Sequence, residues 1–306
     1  MRPELIEQIN ELKAQRNAVI LAHNYQIAEI QDLADFAGDS LGLSVQAAQT
    51  EANVIVFCGV RFMAETAVIL SPEKTVLLPD KHAGCPMANM ISVDELRQHK
   101  ANHPGALVVC YVNSTAEVKA ESDYCCTSSN ALQLVQTLPT DKPILFVPDQ
   151  NLGSYVKQRC PDHDIVLWPG YCRSHVLITA QDIQNAKAAH PKAKVLAHPE
   201  CKDDVKDLAD ELLSTGQMLS FVQTSDVSDF IIATEVGILH SLKKANPKAT
   251  YIAASERAVC ENMKKITLEK VLWALQDMVH PVTVPQDISV RAKQALDRMI
   301  SVLPKI

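Results

Sequence analysis

The chain has 306 residues, 47% of them hydrophobic and 21% charged, with a formal net charge of −7. This is an ordinary globular composition, and the length exceeds what one hydrophobic core usually supports, so two or three domains are expected. The acidic balance, with no basic block, excludes nucleic acid as a partner. The N-terminus carries acids where a secretory leader would be apolar, and no run of 18 apolar residues occurs, so neither a signal peptide nor a membrane span is expected.

Taken in chain order, the predicted elements repeat. Residues 19–49 read VILAHNYQIAEIQDLADFAGDSLGLSVQAAQ: a short apolar strand, a polar loop, an acidic helical stretch, a small polar tripeptide and a second helix. Apolar runs at Ile55–Cys58 and Thr75–Leu78 follow as two more strands with a helix between them. The same order returns at 107–137, with strands at Ile144–Val147 and Asp164–Leu167, and at 194–224, with strands at Phe230–Ala233 and Ala249–Ile252. Continuous apolar strands alternating with helical patterns imply parallel βαβ units buried on both faces, three strands per copy. The expected fold is therefore α/β: three repeated three-layer αβα domains with pseudo-threefold symmetry around a central active site. Its expected bounds are 1–90, 91–176 and 177–284, with 285–306 packing on the first. The stretch from Ile266 to Leu303 reads as helical and lies outside the repeat.

Three landmark sets keep this period. His23, Tyr111 and His198 stand 88 and 87 residues apart, as do Ser40, Ser128 and Thr215; Cys85, Cys172 and Cys260 stand 87 and 88 apart. All follow strands, where parallel α/β units place their ligand loops. Three thiols on one axis make a metal or iron–sulfur site with an open coordination position, which catalytic metals need. The six other cysteines lack the period; Cys58 and Cys110 fall in strands and belong to the core, and no Cys-x-x-Cys occurs. Without a secretory signal the nine should be reduced, which fits a cytoplasmic protein. Ser40, Ser128 and Thr215 read as helix N-caps, and three converging helix N-termini would receive phosphate and carboxylate groups. The loops His23-Asn24-Tyr25, Tyr111-Val112-Asn113 and His198-Pro199-Glu200 supply an acid/base and hydrogen-bonding set, with Glu200 a candidate for moving protons beside a metal. Asp32, Asp35, Asp203, Asp204 and Asp207 are expected on solvated helix faces.

The motifs AHNYQ, GDS, AGCPMA, YVNS, TSSNA, PGYC, HPE and CENMK together resemble the quinolinate synthase family along essentially the whole chain. The resemblance implies a triangular three-domain fold and a [4Fe-4S] cluster on Cys85, Cys172 and Cys260, one iron being open to substrate. It implies condensation of iminosuccinate with dihydroxyacetone phosphate to quinolinate, phosphate and water, in NAD biosynthesis from aspartate. It implies substrate contacts at His23, Ser40, Tyr111, Val112, Asn113, Ser128, His175, His198, Pro199, Glu200 and Thr215, and acid/base roles for Tyr25 and Glu200, with His23 beside them. An L-aspartate oxidase or dehydrogenase is the implied supplier of iminosuccinate. Two features depart from some members. Cys260 is followed by Glu261-Asn262-Met263, not by further cysteines, and Leu213-Ser214-Thr215-Gly216-Gln217 stands where many have Ser-Thr-Ser-Gly. Thr215 keeps the period and Ser214 competes with it. Two other classes compete with the synthase: a zinc-dependent lyase or hydrolase on the same thiols, and a non-enzymatic anion-binding protein with core cysteines.

Overall fold

A computed structural model describes residues 2–302; the end of the predicted 285–306 segment lies outside the described residues. The first unit runs α1 (Pro3–Gln15), β1 (Ala18–His23), α2 (Ala28–Leu33), β2 (Phe36–Gly38), α3 (Ser40–Gln49), β3 (Val54–Cys58), α4 (Arg61–Leu70) and β4 (Thr75–Leu77). The second runs α5 (Val93–Asn102), β5 (Leu107–Tyr111), α6 (Ala116–Ala120), β6 (Tyr124–Cys126), α7 (Ala131–Gln136), β7 (Ile144–Val147), α8 (Gln150–Arg159) and β8 (Ile165–Leu167). After α9 (Arg173–Val176), which ends the second, the third begins with α10 (Ala180–Ala189). It continues through β9 (Lys194–Ala197), α11 (Asp203–Lys206), β10 (Glu211–Leu212), α12 (Thr215–Thr224), β11 (Asp229–Ala233), α13 (Ile238–Ala245) and β12 (Thr250–Ala253). Helices α14 (Leu268–Asp277) and α15 (Gln286–Ser301) close the chain.

Each unit builds a four-stranded parallel sheet with one shared order: β2-β1-β3-β4, β6-β5-β7-β8 and β10-β9-β11-β12. The α/β fold with three helix-flanked sheets is as expected, with one correction. Each sheet has four strands, not three, because the small polar tripeptide is preceded by an edge strand of two or three residues. Strands that short carry no period to read. The sheets form because their runs bury both faces: Val54–Cys58 and Ile144–Val147 are buried at every position. One large core passes through the first two units into the third, and a smaller core behind the third sheet gathers Ile183, Val195 and Ile231.

A further periodic device fixes the edge strands. Asp35, Asp123 and Asp210 accept from the backbone N–H of Ile20, Val108 and Val195 at 2.8, 2.8 and 2.7 Å. Their own N–H groups return bonds to the carbonyls of the same three residues at 3.0, 3.1 and 2.9 Å. Asp35 is thus a strand bracket as well as a solvated side chain, a correction to its expected role. The signal was present, since 35, 123 and 210 stand 88 and 87 apart.

Beyond the third sheet the chain returns to the first unit. Helix α14 lies on α1 and β3, and Pro281 bridges Leu77 at the edge of the first sheet. Helix α15 spans two units, packing on α4 of the first and on α6 and β6 of the second. The expectation for 285–306 named only the first-unit side, because a five-residue α6 leaves little pattern with which to recognise a partner.

Candidate active site

The first strands end in matching turns. The N–H of Tyr25 donates to Nδ1 of His23 at 3.1 Å, and the N–H of Glu200 donates to Nδ1 of His198 at 3.3 Å. Each ring therefore keeps its proton on Nε2. Burial drives His23 down to about 3, with the Lys264 charge adding to it; burial likewise takes His175 to about 3 and His198 well below the usual value. All three imidazoles are neutral near pH 7. Nε2 of His198 lies 3.1 Å from the hydroxyl of Ser128, and the His198 ring stacks on His175 with centroids 4.7 Å apart.

The second landmark set corrects the capping expectation. Helix α3 is capped by Asp39, which accepts from the N–H of Gly42, and α12 by Ser214, in a capping box with Gln217. In the second unit Thr127 accepts from the N–H of Ser129. The caps of α3 and α12 thus fall at 39 and 214, one residue before the predicted positions, and Thr127, on the same period, holds the turn ahead of Asn130, where α7 starts without a side-chain cap. That shift frees Ser40, Ser128 and Thr215 to line the cavity. The helix starts are also tied together: Ser129 Oγ lies 2.5 Å from Asp39 Oδ2 and 2.9 Å from Ser214 Oγ. Gly216 permits this approach, because a Cβ there would sit 2.8 Å from Asp39 Oδ2.

Behind them runs a chain of proton-bearing groups. Tyr25 Oη is 2.6 Å from Thr234 Oγ1, which is 2.8 Å from Nε2 of His175. Oε2 of Glu200 lies 3.2 Å from Nδ1 of both His175 and His198. Since Nδ1 of His198 already accepts a backbone N–H, it offers no proton, and a protonated Glu200 suits that contact. Burial, then the charge of Asp149, pushes the Glu200 carboxyl well above its usual range, so the proton is retained. Its Oε1 has no partner among the described residues. Such unpaired buried acceptors mark places where a ligand completes the bonding.

Cys85, Cys172 and Cys260 come from the loops after β4, β8 and β12 and line the same cavity. Each precedes a short helical turn whose N–H groups meet its sulfur: Met87 and Ala88 for Cys85, His175 for Cys172, Asn262 and Met263 for Cys260. Burial outweighs these bonds, holding Cys85 up to about 12 and the other two above the usual thiol value. Three half-buried thiols that resist ionisation, each offered N–H groups, suit a thiophilic metal group that takes them as thiolates. A second, overlapping donor set was not recognised in the sequence as one: ligand atoms of Cys172, His175 and Glu200 lie within 4.8 Å of one another.

The cavity wall holds His23, Tyr25, Ser40, Tyr111, Asn113, Ser128, His198, Glu200 and Thr215 besides the thiols. His175 stands buried behind it, and Val112 and Pro199 are buried beside it, the N–H of Val112 donating to Cys126. Ser214 spends its hydroxyl on the cap and on Ser129. Sequence reasoning missed Asp39, although GDS contained it, and placed Asn24 in its hydrogen-bonding loop without the partner it takes, Thr215 Oγ1, to which its amide donates at 3.1 Å. It also missed Thr234, which carries no motif.

Residues 7–301 match the family described as quinolinate synthetase A protein. The chain belongs to that family. It is 57% identical to a quinolinate synthase of Dehalococcoides mccartyi strain CBDB1 over 304 residues, 99% of this chain and 100% of that protein. It is 53% identical to one of Methanosarcina barkeri over 299 residues, 98% of each chain. A quinolinate synthase of Thermodesulfovibrio yellowstonii is 50% identical over 298 residues, 97% of this chain and 98% of that protein. The quinolinate synthetase A family is one of enzymes, and these relatives are covered over 98–100% of their own length. Among the described residues no helix is long and apolar enough to cross a membrane.

Proposed function

We propose that the chain condenses iminosuccinate with dihydroxyacetone phosphate to give quinolinate, phosphate and water, in the NAD route from aspartate. One observation carries this reading: equivalent loops of three units bring three thiols and three hydroxyls to one cavity, in a chain half or more identical to quinolinate synthases. Cys85, Cys172 and Cys260 would hold a [4Fe-4S] cluster, which supplies Lewis acidity at its protein-free iron.

The remaining roles belong to the chain. Ser40, Ser128 and Thr215, with the helix N-termini beside them, bind phosphate and carboxylate oxygens. His23 and His198, neutral and protonated at Nε2, donate to substrate without adding charge. Tyr111 and Asn113 orient the substrate. Glu200 delivers or recovers a proton at Oε2, and Tyr25 does so at Oη, with Thr234 and His175 as its relay. Val112 and Pro199 shape the wall from behind. We read the units as 1–90, 91–176 and 177–284, supported by each sheet lying within one span. A cytoplasmic location is supported by nine free cysteines, and an L-aspartate oxidase or dehydrogenase would supply the imine.

Anaerobically purified protein should contain iron and sulfide and form quinolinate from the two substrates. A colourless, fully active protein would overturn the reading. One observation favours a second: Cys172, His175 and Glu200, within 4.8 Å, form a sulfur–nitrogen–oxygen set suited to a single zinc. One zinc and no sulfide would establish that alternative.

A further inference from the structure

The middle strand ends differently in the three units. Two residues past β7 stands Asp149, and two past β11 stands Glu235; both are 0% exposed. Two past β3 stands Val60, whose side chain has no acceptor. Asp149 divides its oxygens between two backbone donors: Oδ1 takes the N–H of Leu152 at 2.7 Å, capping α8, and Oδ2 takes the N–H of Cys172 at 3.2 Å. Glu235 does the same, with Oε1 on the N–H of Cys260 at 2.9 Å and Oε2 on the N–H of Gly237 at 2.7 Å. Lys264 Nζ lies 2.9 Å from Glu235 Oε1 and also donates to the carbonyl of Tyr25.

We propose that Asp149 and Glu235 are positioning residues for the metal group: each fixes the backbone of one cysteine so that its sulfur faces the cavity. Glu235 further couples the Cys260 loop, through Lys264, to the loop that carries Tyr25. This rests on reading the three thiols as ligands of one cluster.

A cysteine side chain is one carbon long, so its sulfur follows its backbone closely. An oxygen that holds the N–H removes much of the loop's freedom to turn. Charge is not what these groups contribute. A carboxylate beside a thiolate opposes it, and Asp149 and Glu235 disfavour ionisation of Cys172 and Cys260. Acceptor geometry is the useful part: each carboxylate needs both oxygens to hold its two N–H groups, and an amide keeps only one acceptor, its NH2 facing the other N–H.

The test loads the whole protein anaerobically and follows cluster absorbance while an excess ferrous chelator withdraws iron. Asp149→Ala and Glu235→Ala should release iron about 10–100-fold faster than the parent chain, and Asp149→Asn and Glu235→Gln, which keep one of the two acceptors, should fall between alanine and parent. Glu65→Ala is the control. Glu65 is also a buried carboxylate on a backbone N–H, that of Ala116 at 3.2 Å, but away from the thiols. It should lower the melting temperature and leave the release rate alone. Unchanged release in both alanine variants overturns the proposal, as does equal acceleration by Glu65→Ala. If the alanine variants do not fold, the amides decide: release faster than the parent rate upholds the proposal and release at the parent rate overturns it. A parent chain that takes up no iron and sulfide fails the cluster reading itself, a separate result.

Discussion

Cys110, Cys125 and Cys126 sit inside the second sheet; Cys85, Cys172 and Cys260 sit on loops around the cavity. Around the sheet cysteines the polar groups have answered one another. Cys110 Sγ lies 3.2 Å from Ser114 Oγ, and the fully buried Lys119 donates Nζ to the Ser114 carbonyl at 2.6 Å. Around the cavity they have not: Asn24 Oδ1, Asn113 Oδ1 and Glu200 Oε1 lack partners among the described residues. Burying a polar group without a partner costs about 1–3 kcal/mol, so the cavity gives up stability that a ligand can return. Two equal sets of cysteines are thus separated by the bonding of their neighbours, one set amid satisfied polar groups and the other amid unpaired ones.

The largest effect should come from the thiols. Cys85→Ala should abolish bound iron, sulfide and quinolinate formation, while Cys110→Ala leaves metal content unchanged; iron loss in Cys110→Ala would break the contrast. Next come the ionisable residues of the two regions. Glu200→Gln should lower kcat by about 10²–10⁴ with iron content and folding retained. Lys119→Ala should do the reverse, costing about 2–4 kcal/mol in urea unfolding through a cavity and an unpaired Ser114 carbonyl, with kcat intact. A collapse of kcat in Lys119→Ala would show that the second sheet is part of the machinery.

The pH dependence of stability sharpens the same contrast. Burial lowers the Lys119 pKa below the ordinary 10.5. The unfolded chain therefore holds this proton to higher pH than the folded one. Between the lowered value and 10.5 the unfolded state binds more protons, so the Lys119 contribution to stability rises with pH. Denaturant titrations across alkaline pH should show this rise in the parent chain and not in Lys119→Met. The smallest effects distinguish a cap from its neighbour on α3. Asp39→Ala should cost about 1 kcal/mol by removing the cap. Ser40→Ala should change stability by less than about 0.5 kcal/mol and act instead on KM.

What could be read in the sequence was whatever recurred. His23/His198, Ser40/Ser128/Thr215 and the three loop cysteines were legible because chemically distinct residues returned at one period, and the sheets because their apolar runs are unbroken. Asp35/Asp123/Asp210 kept the same period and were passed over, since an aspartate on an acidic helix looks solvated. Edge strands β2, β6 and β10 escaped because two or three residues show no alternation. Asp149, Glu235 and Thr234 escaped because they occur in one or two units only, so repetition could not single them out.

By itself the sequence determined the class of the fold, its threefold plan and which residue types meet at the centre, because periodicity and backbone preference are local and additive. Only the tertiary structure decided which hydroxyl caps a helix and which faces the cavity, as at Ser214 and Thr215, and which nitrogen of His198 keeps its proton. Those outcomes depend on partners up to 191 residues away, as Asn24 is from Thr215, and on a burial that makes each unpaired polar atom costly.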